Sequence, residues 1–214
     1  MRIYCVADIH GKGEKLAVIR KNIHRFNPDI LVVAGDVTNY IRWTATLAEL
    51  NEMAAPVLAV RGNSDLPIPA FSSGRHSNIS FLHLSKKVIK GVLFVGIGGA
   101  IPVPFGTRIC LGEKRAFKRL DSALEKNCIL IAHSPPYGIL DKVGGRFHAG
   151  CRSLGRTVKE GRCKILICGH IHEQAGMATV GGTVIVNCAM GKKKAGAIID
   201  YDGERQPEIN WAAA

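Results

Sequence analysis

Apolar runs of strand length alternate, along the first third of the chain, with segments in which apolar residues recur every three or four positions. The strand-like runs are residues 2–7, 29–34 and 56–60, and the helical segments between them are residues 13–26 and 44–54. A short continuous apolar run is typical of a buried strand, and a period of three to four is typical of an amphipathic helix. The order strand, helix, strand, helix, strand predicts parallel strands joined by right-handed crossovers.

The alternation continues through residue 168 and then gives way to hairpins. Further strands are predicted at residues 93–96, 128–132 and 164–168, and further helices at residues 113–126 and 149–160. Glycine-containing turns separate or follow three short strands near the end of the chain, at residues 177–180, 183–187 and 195–201. Such turns predict antiparallel pairing in this last part of the chain.

Length and composition favour one globular domain. The chain has 214 residues, of which 47% are hydrophobic and 21% are charged, close to the averages for globular proteins. We expect residues 1–203 to form a single domain and residues 204–214 to be a loosely held C-terminal tail. Residues 66–90 follow no regular pattern, and residues 98–106 are expected to form a loop containing glycine and proline.

The hydrophobic pattern predicts neither a membrane span nor a secretory signal. The longest apolar runs, such as residues 30–34, are far shorter than the ~18 residues of a membrane helix. Asp8 and His10 interrupt the apolar start of the chain. The seven cysteines include no Cys-x-x-Cys pair, which argues against a zinc ribbon or a thioredoxin motif. Together these features favour a reducing, cytoplasmic location.

The chain is strongly basic, with 29 Lys and Arg residues against 17 Asp and Glu residues and a formal net charge of +12. A field of this sign attracts nucleic acids, nucleotides and other anionic ligands. Two basic clusters, residues 192–194 and the group Arg152, Arg156 and Lys159, are interpreted first as solvated faces and second as anion-steering surfaces. The charge by itself leaves both interpretations open.

Polar side chains follow five of the predicted strands at the point where each strand ends. They are Asp8, His10, Asp36, Asn63, His133, His170 and His172. Ligands of open α/β sheets bind beyond the carboxyl ends of the parallel strands, so these side chains are expected to meet at one edge. Burying so many carboxylates and imidazoles together costs several kcal/mol unless their polarity is compensated, and a pair of divalent cations is the natural compensation.

The types of donor narrow the choice of metal. A mixture of imidazole nitrogen, carboxylate oxygen and amide oxygen suits Zn, Mn, Fe, Co or Ni better than Ca. No cysteine belongs to the set, which argues against a closed structural zinc site.

The same residues, in this order, resemble the calcineurin-like metallophosphoesterase superfamily. The shared motifs are Asp8-Ile9-His10, Gly35-Asp36, Gly62-Asn63-Ser64-Asp65, His133 and Gly169-His170-Ile171-His172. The resemblance extends to small bacterial and archaeal members without an assigned substrate. It implies an α/β fold: a four-layer αββα sandwich of two mixed β-sheets flanked by helices.

The resemblance also implies a site for two metal ions. One ion would be bound by Asp8, His10, Asp36 and His172, and the other by Asp36, Asn63, His133 and His170. Asp36 would bridge the ions and position a bridging hydroxide that attacks phosphorus, with Asn63 also able to contact the phosphate. Two cations that share such a site stabilise the attacking and leaving oxygens together.

One position departs from the motif. Many members have a histidine after the motif asparagine, where it protonates the leaving oxygen or steadies the phosphate, and this chain has Ser64. Serine is not a general acid near pH 7. His148 is a candidate substitute acid or phosphate contact, and a surface-loop histidine is the competing interpretation.

The function expected from these features is that of a metal-dependent phosphoric ester hydrolase acting on anionic phosphoesters, with phosphodiesters preferred over monoesters. Two alternatives stay open. One is a binding or scaffold module of the same fold, because the superfamily member in the retromer coat also lacks the catalytic histidine. The other is a nuclease, suggested by the charge, although only 6% of the residues are aromatic and available to stack on single-stranded bases.

Overall fold

The computed structural model describes residues 1–39, 43–65, 76–99 and 113–214. The strands in this part of the chain are β1 (Arg2–Val6), β2 (Ile30–Ala34), β3 (Val57–Val60), β4 (Ile79–Phe81), β5 (Ser85–Ile89), β6 (Val92–Ile97), β7 (Ile129–Ala132), β8 (Lys142–Val143), β9 (Phe147–His148), β10 (Ile165–Cys168), β11 (Gly176–Val180), β12 (Thr183–Asn187), β13 (Lys194–Asp200) and β14 (Glu208–Ala213). The helices are α1 (Gly13–Phe26), α2 (Trp43–Asn51), α3 (Glu113–Asp121) and α4 (Arg152–Lys159), and a short 3-10 helix spans His172–Gln174.

The strands form two mixed six-stranded sheets and one small hairpin. The first sheet has the order β14-β13-β1-β2-β3-β4, in which β1 to β4 are parallel and β13 and β14 join antiparallel. The second has the order β11-β12-β10-β7-β6-β5, with a parallel centre and an antiparallel strand at each edge. The hairpin pairs β8 with β9.

Apolar layers lie on both faces of each sheet. One buried cluster, between the sheets, includes Ile3 and Val32 from the first sheet and Phe94 and Ile167 from the second. A second cluster joins the other face of the first sheet to α1 and α2, and a third joins the other face of the second sheet to α3 and α4. Strands covered on both faces are apolar at every position, which is why the predicted central strands are continuous apolar runs. The predicted four-layer αββα sandwich is confirmed.

Three helices are shorter than their predicted ranges, and α2, predicted over residues 44–54, spans Trp43–Asn51. Helix α4 was predicted from residue 149, but it begins at Arg152 because Cys151 has an extended backbone and its Sγ accepts the N–H of Leu154. The N–H of Cys151 is held by the carbonyl of Pro135 (2.8 Å) instead of entering the helix. Helix α3 was predicted to residue 126 and ends at Asp121, where the hydroxyl of Ser122 donates back to the carbonyl of Arg119 (2.8 Å).

The prediction of a loosely held tail over residues 204–214 is wrong for its second half. Residues 208–213 form β14, which pairs antiparallel with β13 at the edge of the first sheet. Ile209 and Trp211 alternate with polar neighbours and pack against the cluster between the sheets. This period of two is the strand signal in the sequence. The predicted loop over residues 98–106 lies for the most part outside the described residues.

Candidate metal centre

The carboxyl ends of strands from both sheets meet at one edge of the sandwich. Asp8, Asp36 and Asn63 follow β1, β2 and β3 of the first sheet, and His133 and His170 follow β7 and β10 of the second. His10 lies two residues beyond Asp8, and His172 opens the short 3-10 helix. The structure therefore brings all seven predicted ligand residues to the same edge.

Several of these residues have a backbone conformation that L-amino acids rarely adopt. The φ angles of Asp8, His10, Asp36 and His170 are +62°, +54°, +49° and +70°. Left-handed conformations cost free energy in residues other than glycine, and they cluster at functional sites. These left-handed turns therefore coincide with four of the predicted ligand residues.

The first group of ligand atoms surrounds one carboxylate oxygen of Asp8. Nε2 of His172 lies 3.2 Å from Asp8 Oδ1, and Nε2 of His10 lies 4.0 Å from the same oxygen. One ligand atom from each of the three residues lies within 4.8 Å of the others. This spacing fits a single cation held by two imidazoles and a carboxylate.

The second group is centred on His133. Its Nε2 lies 3.5 Å from Asp36 Oδ1, 4.0 Å from Asp8 Oδ1 and 3.1 Å from the amide oxygen of Asn63. Nδ1 of His170 lies 3.2 Å from the same nitrogen. Asp36 also reaches the first group, because its Oδ2 lies 3.7 Å from Nδ1 of His10. The arrangement places Asp36 between the two groups.

One buried atom in this cluster lacks a hydrogen-bond donor. Among the described residues, nothing donates a hydrogen bond in good geometry to Asp8 Oδ1, although the side chain is fully buried. Its other oxygen accepts the backbone N–H of His170 (3.0 Å). Buried polar atoms without a partner are rare, and a carboxylate oxygen is a good ligand for a divalent cation. The donor set and this oxygen fit the metal pair that the sequence predicts.

Two glycines permit the close contacts within the cluster. A Cβ added at Gly35, whose φ is +86°, would lie 2.5 Å from Nδ1 of His133, and one added at Gly62 would lie 2.1 Å from Oδ1 of Asp36. Nδ1 of His133 lies 2.8 Å from the carbonyl oxygen of Ala34, to which it donates. That hydrogen bond fixes the ring orientation and leaves Nε2 available as a ligand.

The electrostatics of the cluster are those of a site that binds positive charge. Burial is the largest single influence and raises the pKa of the Asp36 carboxyl, but His133, the backbone N–H of Ser64 and His10 together lower it more, and the net shift is downward. Burial lowers the pKa of His133, but Asp36 and Asp8 outweigh it and raise the value to about 9. Burial and the charge on His133 lower the pKa of His170 to about 4. Two ionised carboxylates thus share this buried space with imidazoles.

Ser64, the departure from the family motif, contacts a predicted ligand. Its Oγ lies 3.3 Å from Nδ1 of His10 and donates to the carbonyl of Thr38 (3.1 Å). Its backbone N–H donates to Asp36 Oδ1 (2.8 Å). Ser64 therefore orients ligands on both sides of the site.

Two further residues support the site and were not identified from the sequence. Asp65 is buried and accepts backbone hydrogen bonds from Val37, Thr38 and Gly62, which ties together the loops after β2 and β3. In the sequence, this role of Asp65 is indicated by its place as the last residue of the Gly62-to-Asp65 motif. Lys15 of α1 donates to the carbonyl of Asp8 and to that of Met190 (3.2 Å), a contact for which the sequence carries no signal.

His148 forms its hydrogen bond outside the set of predicted ligands. It is on β9, where Nδ1 lies 2.7 Å from Oδ1 of the buried Asp141, and its side chain is 33% exposed. No hydrogen bond joins it to any of the seven predicted ligand residues, all of which the structure describes. Its role as an acid stays a prediction.

Comparison with known proteins agrees with this geometry. The sequence profile described as Calcineurin-like phosphoesterase matches residues 1–174. The chain belongs to this family. Metal-dependent hydrolysis of phosphoesters at a dinuclear site for divalent ions is the activity of the calcineurin-like phosphoesterases, and the Asp and His groups described above are the candidate ligands here.

Individual relatives are distant. An uncharacterized protein of Methanocaldococcus jannaschii is 29% identical over 202 residues, which cover 87% of each chain. A dimetal phosphatase from Danio rerio has a TM-score of 0.69 at 11% identity, over 100% of this chain and 96% of the other. A novel archaeal phosphodiesterase has a TM-score of 0.59 at 14% identity, over 100% of both chains. At these identities the two structures show the shared fold.

Among the described residues, no helix is both long enough and apolar enough to cross a membrane.

Proposed function

We propose that this protein is a dinuclear metal-dependent phosphodiesterase. The observation that carries the proposal is the buried Asp8 Oδ1, which accepts no hydrogen bond in good geometry from the described residues and lies 3.2 Å and 4.0 Å from imidazole nitrogens of His172 and His10. A buried, ionised oxygen in this position is stabilised when a bound cation neutralises its charge. The same atom lies 4.0 Å from Nε2 of His133, so it links the two ligand groups.

Each ion has its own set of ligands in this proposal. The first would be held by Asp8, His10, Asp36 and His172, and the second by Asp36, Asn63, His133 and His170. When bound, the two ions supply Lewis acidity, which lowers the pKa of water and stabilises negative charge on the phosphoryl oxygens. The donor types suit Mn, Ni, Zn, Fe or Co.

The chain's own residues fix the geometry in which this chemistry operates. Asp36 would be the carboxylate shared by the two ions, and the backbone N–H of Ser64 holds one of its oxygens (2.8 Å). His133 is fully buried, and its ring is fixed by the hydrogen bond to the carbonyl of Ala34. Its Nε2 can therefore point in only one direction. Asn63 contributes an amide oxygen as ligand, and its amide N–H group is suited to a phosphoryl oxygen.

One feature favours diesters over monoesters. Ser64 occupies the position of the motif histidine and uses its hydroxyl hydrogen on the carbonyl of Thr38, so no imidazole is available there for a phosphate dianion. The net charge of +12 attracts anionic phosphoesters of both classes, including nucleotides and nucleic acids, and does not discriminate between them. The archaeal phosphodiesterase of similar fold is consistent with this preference.

The same proposal places the enzyme in the cytoplasm. The described cysteines are free and buried: Cys5, Cys128, Cys151, Cys163, Cys168 and Cys188. Free thiols persist in reducing compartments.

A metal-by-substrate screen tests the function. Protein stripped with a chelator is reloaded with each of the five metals and assayed on bis(4-nitrophenyl) phosphate, 4-nitrophenyl phosphate, cyclic nucleotides and single-stranded DNA. We expect diester hydrolysis that depends on added metal, with Asp8→Asn as the inactive control. Metal binding without hydrolysis of any substrate would favour a scaffold module of this fold, and activity confined to DNA would favour a nuclease.

A further inference from the structure

The segment between β7 and α4 follows one predicted ligand of the candidate metal centre and is hydrogen-bonded to the residue after another. Its first residues follow His133, and the carbonyl of Pro135 accepts the N–H of Cys151 (2.8 Å) at the start of α4. At the tip of the β8–β9 hairpin, the N–H of Gly144 donates to Glu173 (2.6 Å), the residue after the predicted ligand His172. The hairpin is therefore attached on both sides to segments that carry predicted ligands.

A buried carboxylate organises this segment from within. Asp141 is 1% exposed, and its Oδ2 accepts the backbone N–H groups of Gly138 (2.9 Å) and Gly150 (3.0 Å). Its Oδ1 accepts the Nδ1–H of His148 (2.7 Å). A carboxylate that holds one ring nitrogen fixes both the ring orientation and the tautomer. Nε2 is the remaining polar atom of the ring, and no described residue makes a hydrogen bond to it.

Two cationic or hydrogen-bonding groups contact the same tyrosine ring. The centroid of the Tyr137 ring lies 5.3 Å from that of His148 and 4.2 Å from the guanidinium carbon of Arg152. Arg152 is exposed, and none of the described carboxylates lies within 4.0 Å of it. It also occupies the first turn of α4, where the helix dipole disfavours a cation. An unneutralised guanidinium held over a tyrosine ring is a suitable donor for a phosphate.

We propose that Tyr137, His148 and Arg152 form a subsite that binds a second phosphate group of the substrate, beside the phosphate that is hydrolysed. We call these three residues the second-phosphate subsite. The inference rests on the proposed function and narrows it to substrates with two phosphate groups, such as a nucleotide that carries a free phosphate besides the ester. Arg152 supplies two parallel N–H donors and Tyr137 adds its O–H, while Nε2 of His148 donates to the phosphate in the doubly protonated ring, whose Nδ1–H Asp141 accepts.

Binding of two matched nucleotides tests the subsite without turnover. Thymidine 3′,5′-bisphosphate and thymidine 5′-monophosphate differ by one phosphate, and their affinities for the Mn²⁺-loaded protein are compared by calorimetry. We expect the bisphosphate to bind about tenfold more tightly, the size expected for charge-assisted hydrogen bonds. Arg152→Ala should reduce the preference to less than about twofold, and Arg152→Lys should retain part of it because a lysine keeps the charge without the planar fork.

Arg156→Ala is the matched control, since it removes the same charge one turn further along α4 and should leave the preference intact. Equal preferences in wild type, Arg152→Ala and Arg156→Ala would overturn the subsite. Loss of the preference in both variants would also overturn it, since bulk charge would then explain the effect. The subsite would also be overturned if the wild-type protein bound the two nucleotides equally tightly, or if it bound neither of them.

Failure of the proposed function is seen in a separate measurement. Hydrolysis of thymidine 5′-(4-nitrophenyl phosphate) is followed in the same preparations. An Arg152-dependent binding preference without any hydrolysis would support the subsite and count against the phosphodiesterase. Hydrolysis without that preference would support the phosphodiesterase and overturn the subsite.

Discussion

The hydroxyl oxygen of Ser64 lies 3.3 Å from Nδ1 of His10. The same hydroxyl donates its hydrogen to the carbonyl of Thr38 (3.1 Å), so its oxygen accepts the hydrogen on Nδ1. The lone pair of His10 is then on Nε2, the nitrogen that lies 4.0 Å from Asp8 Oδ1. Ser64 is therefore a positioning residue for a metal ligand, which gives a physical reason for a serine at the position where the family motif has histidine.

We predict that Ser64→Ala weakens metal binding about tenfold, because outer hydrogen bonds to a ligating histidine typically contribute 10–100-fold to affinity and this one is long. Competition with a fluorescent chelator measures the affinity. Ser122→Ala is the control, since Ser122 makes a similar hydroxyl-to-carbonyl bond on the surface, far in sequence from the site. Unchanged affinity in Ser64→Ala would show that His10 is oriented without the serine.

A second prediction distinguishes a bridging ligand from a terminal one. Asp36 Oδ1 lies 3.5 Å from Nε2 of His133 and its Oδ2 lies 3.7 Å from Nδ1 of His10, so Asp36→Ala should lower the occupancy of both ions. His172→Ala should lower the occupancy of one ion. His172 belongs to the first ligand group alone, and among the described carboxylates only that of Asp8 lies within 4.0 Å of its ring nitrogens. Metal analysis after dialysis gives the number of ions per chain. Equal losses in the two variants, or full occupancy in Asp36→Ala, would show that Asp36 is not the bridge.

A third prediction concerns β14. The Trp211 ring packs against the cluster between the sheets, and Nζ of Lys194 lies 4.0 Å from its centroid. Trp211→Ala should lower the free energy of unfolding by about 2 kcal/mol, roughly half the loss at a fully buried tryptophan. Urea denaturation in the presence of a chelator measures this without a contribution from bound metal. Glu208→Ala, at an exposed position of the same strand, should change it by less than ~0.5 kcal/mol. If Trp211→Ala has no larger effect than this control, β14 does not stabilise the first sheet.

A fourth prediction concerns the basic surface. If the net charge of +12 steers a charged diester to the site, its kcat/KM should fall as salt rises from about 20 mM to about 500 mM, because the screening length shrinks over this range. A neutral phosphotriester of similar size is the control and should show little change. Stopped-time assays at fixed metal occupancy make the comparison. A flat response for the charged diester would show that the basic side chains are a solvated surface.

The sequence predicts best those strands and helices whose structure depends mainly on their own residues. Strands β1, β2 and β3 are buried on both faces, so each is a continuous apolar run bounded by a polar turn. The ligand residues follow these strands directly, and the parallel arrangement alone is enough to bring Asp8, Asp36 and Asn63 to one edge. The meeting of these three residues at one edge could therefore be predicted from the strand pattern, whereas the αββα sandwich was implied by the resemblance to the superfamily.

Other elements depend on partners that are distant in sequence. Strand β5 is exposed at four of its five positions and forms because its backbone pairs with β6. The contacts of Ser64 with Thr38 and His10 depend on how three loops meet, and the serine itself gives no sign of them. The Asp141–His148 pair was likewise missed, because only the pairing of β8 with β9 brings the two side chains together.

The last prediction separates two roles for His148. Ser64 supplies no proton, so an alkoxide leaving group should depart slowly while a phenolate departs readily as an anion. We expect the rate on phosphodiesters to rise steeply as the leaving-group pKa falls, with aryl diesters hydrolysed far faster than alkyl diesters. A series of aryl and alkyl esters of thymidine 5′-phosphate, assayed under single-turnover conditions, measures this dependence.

His148→Ala in the same series assigns the role. If His148 protonates the leaving oxygen, its loss should steepen the dependence on leaving-group pKa and slow alkyl esters most, by roughly 10²–10⁴-fold. If His148 only binds a second phosphate, the slope should stay the same in the variant, and the KM for a 3′-phosphorylated substrate should rise while kcat is nearly unchanged. Phe147→Ala, the adjacent exposed residue of β9, controls for disturbance of the hairpin. A wild-type rate that is indifferent to the leaving group would show that another acid serves the site or that none is required, and an unaltered His148→Ala would return His148 to the role of a surface histidine.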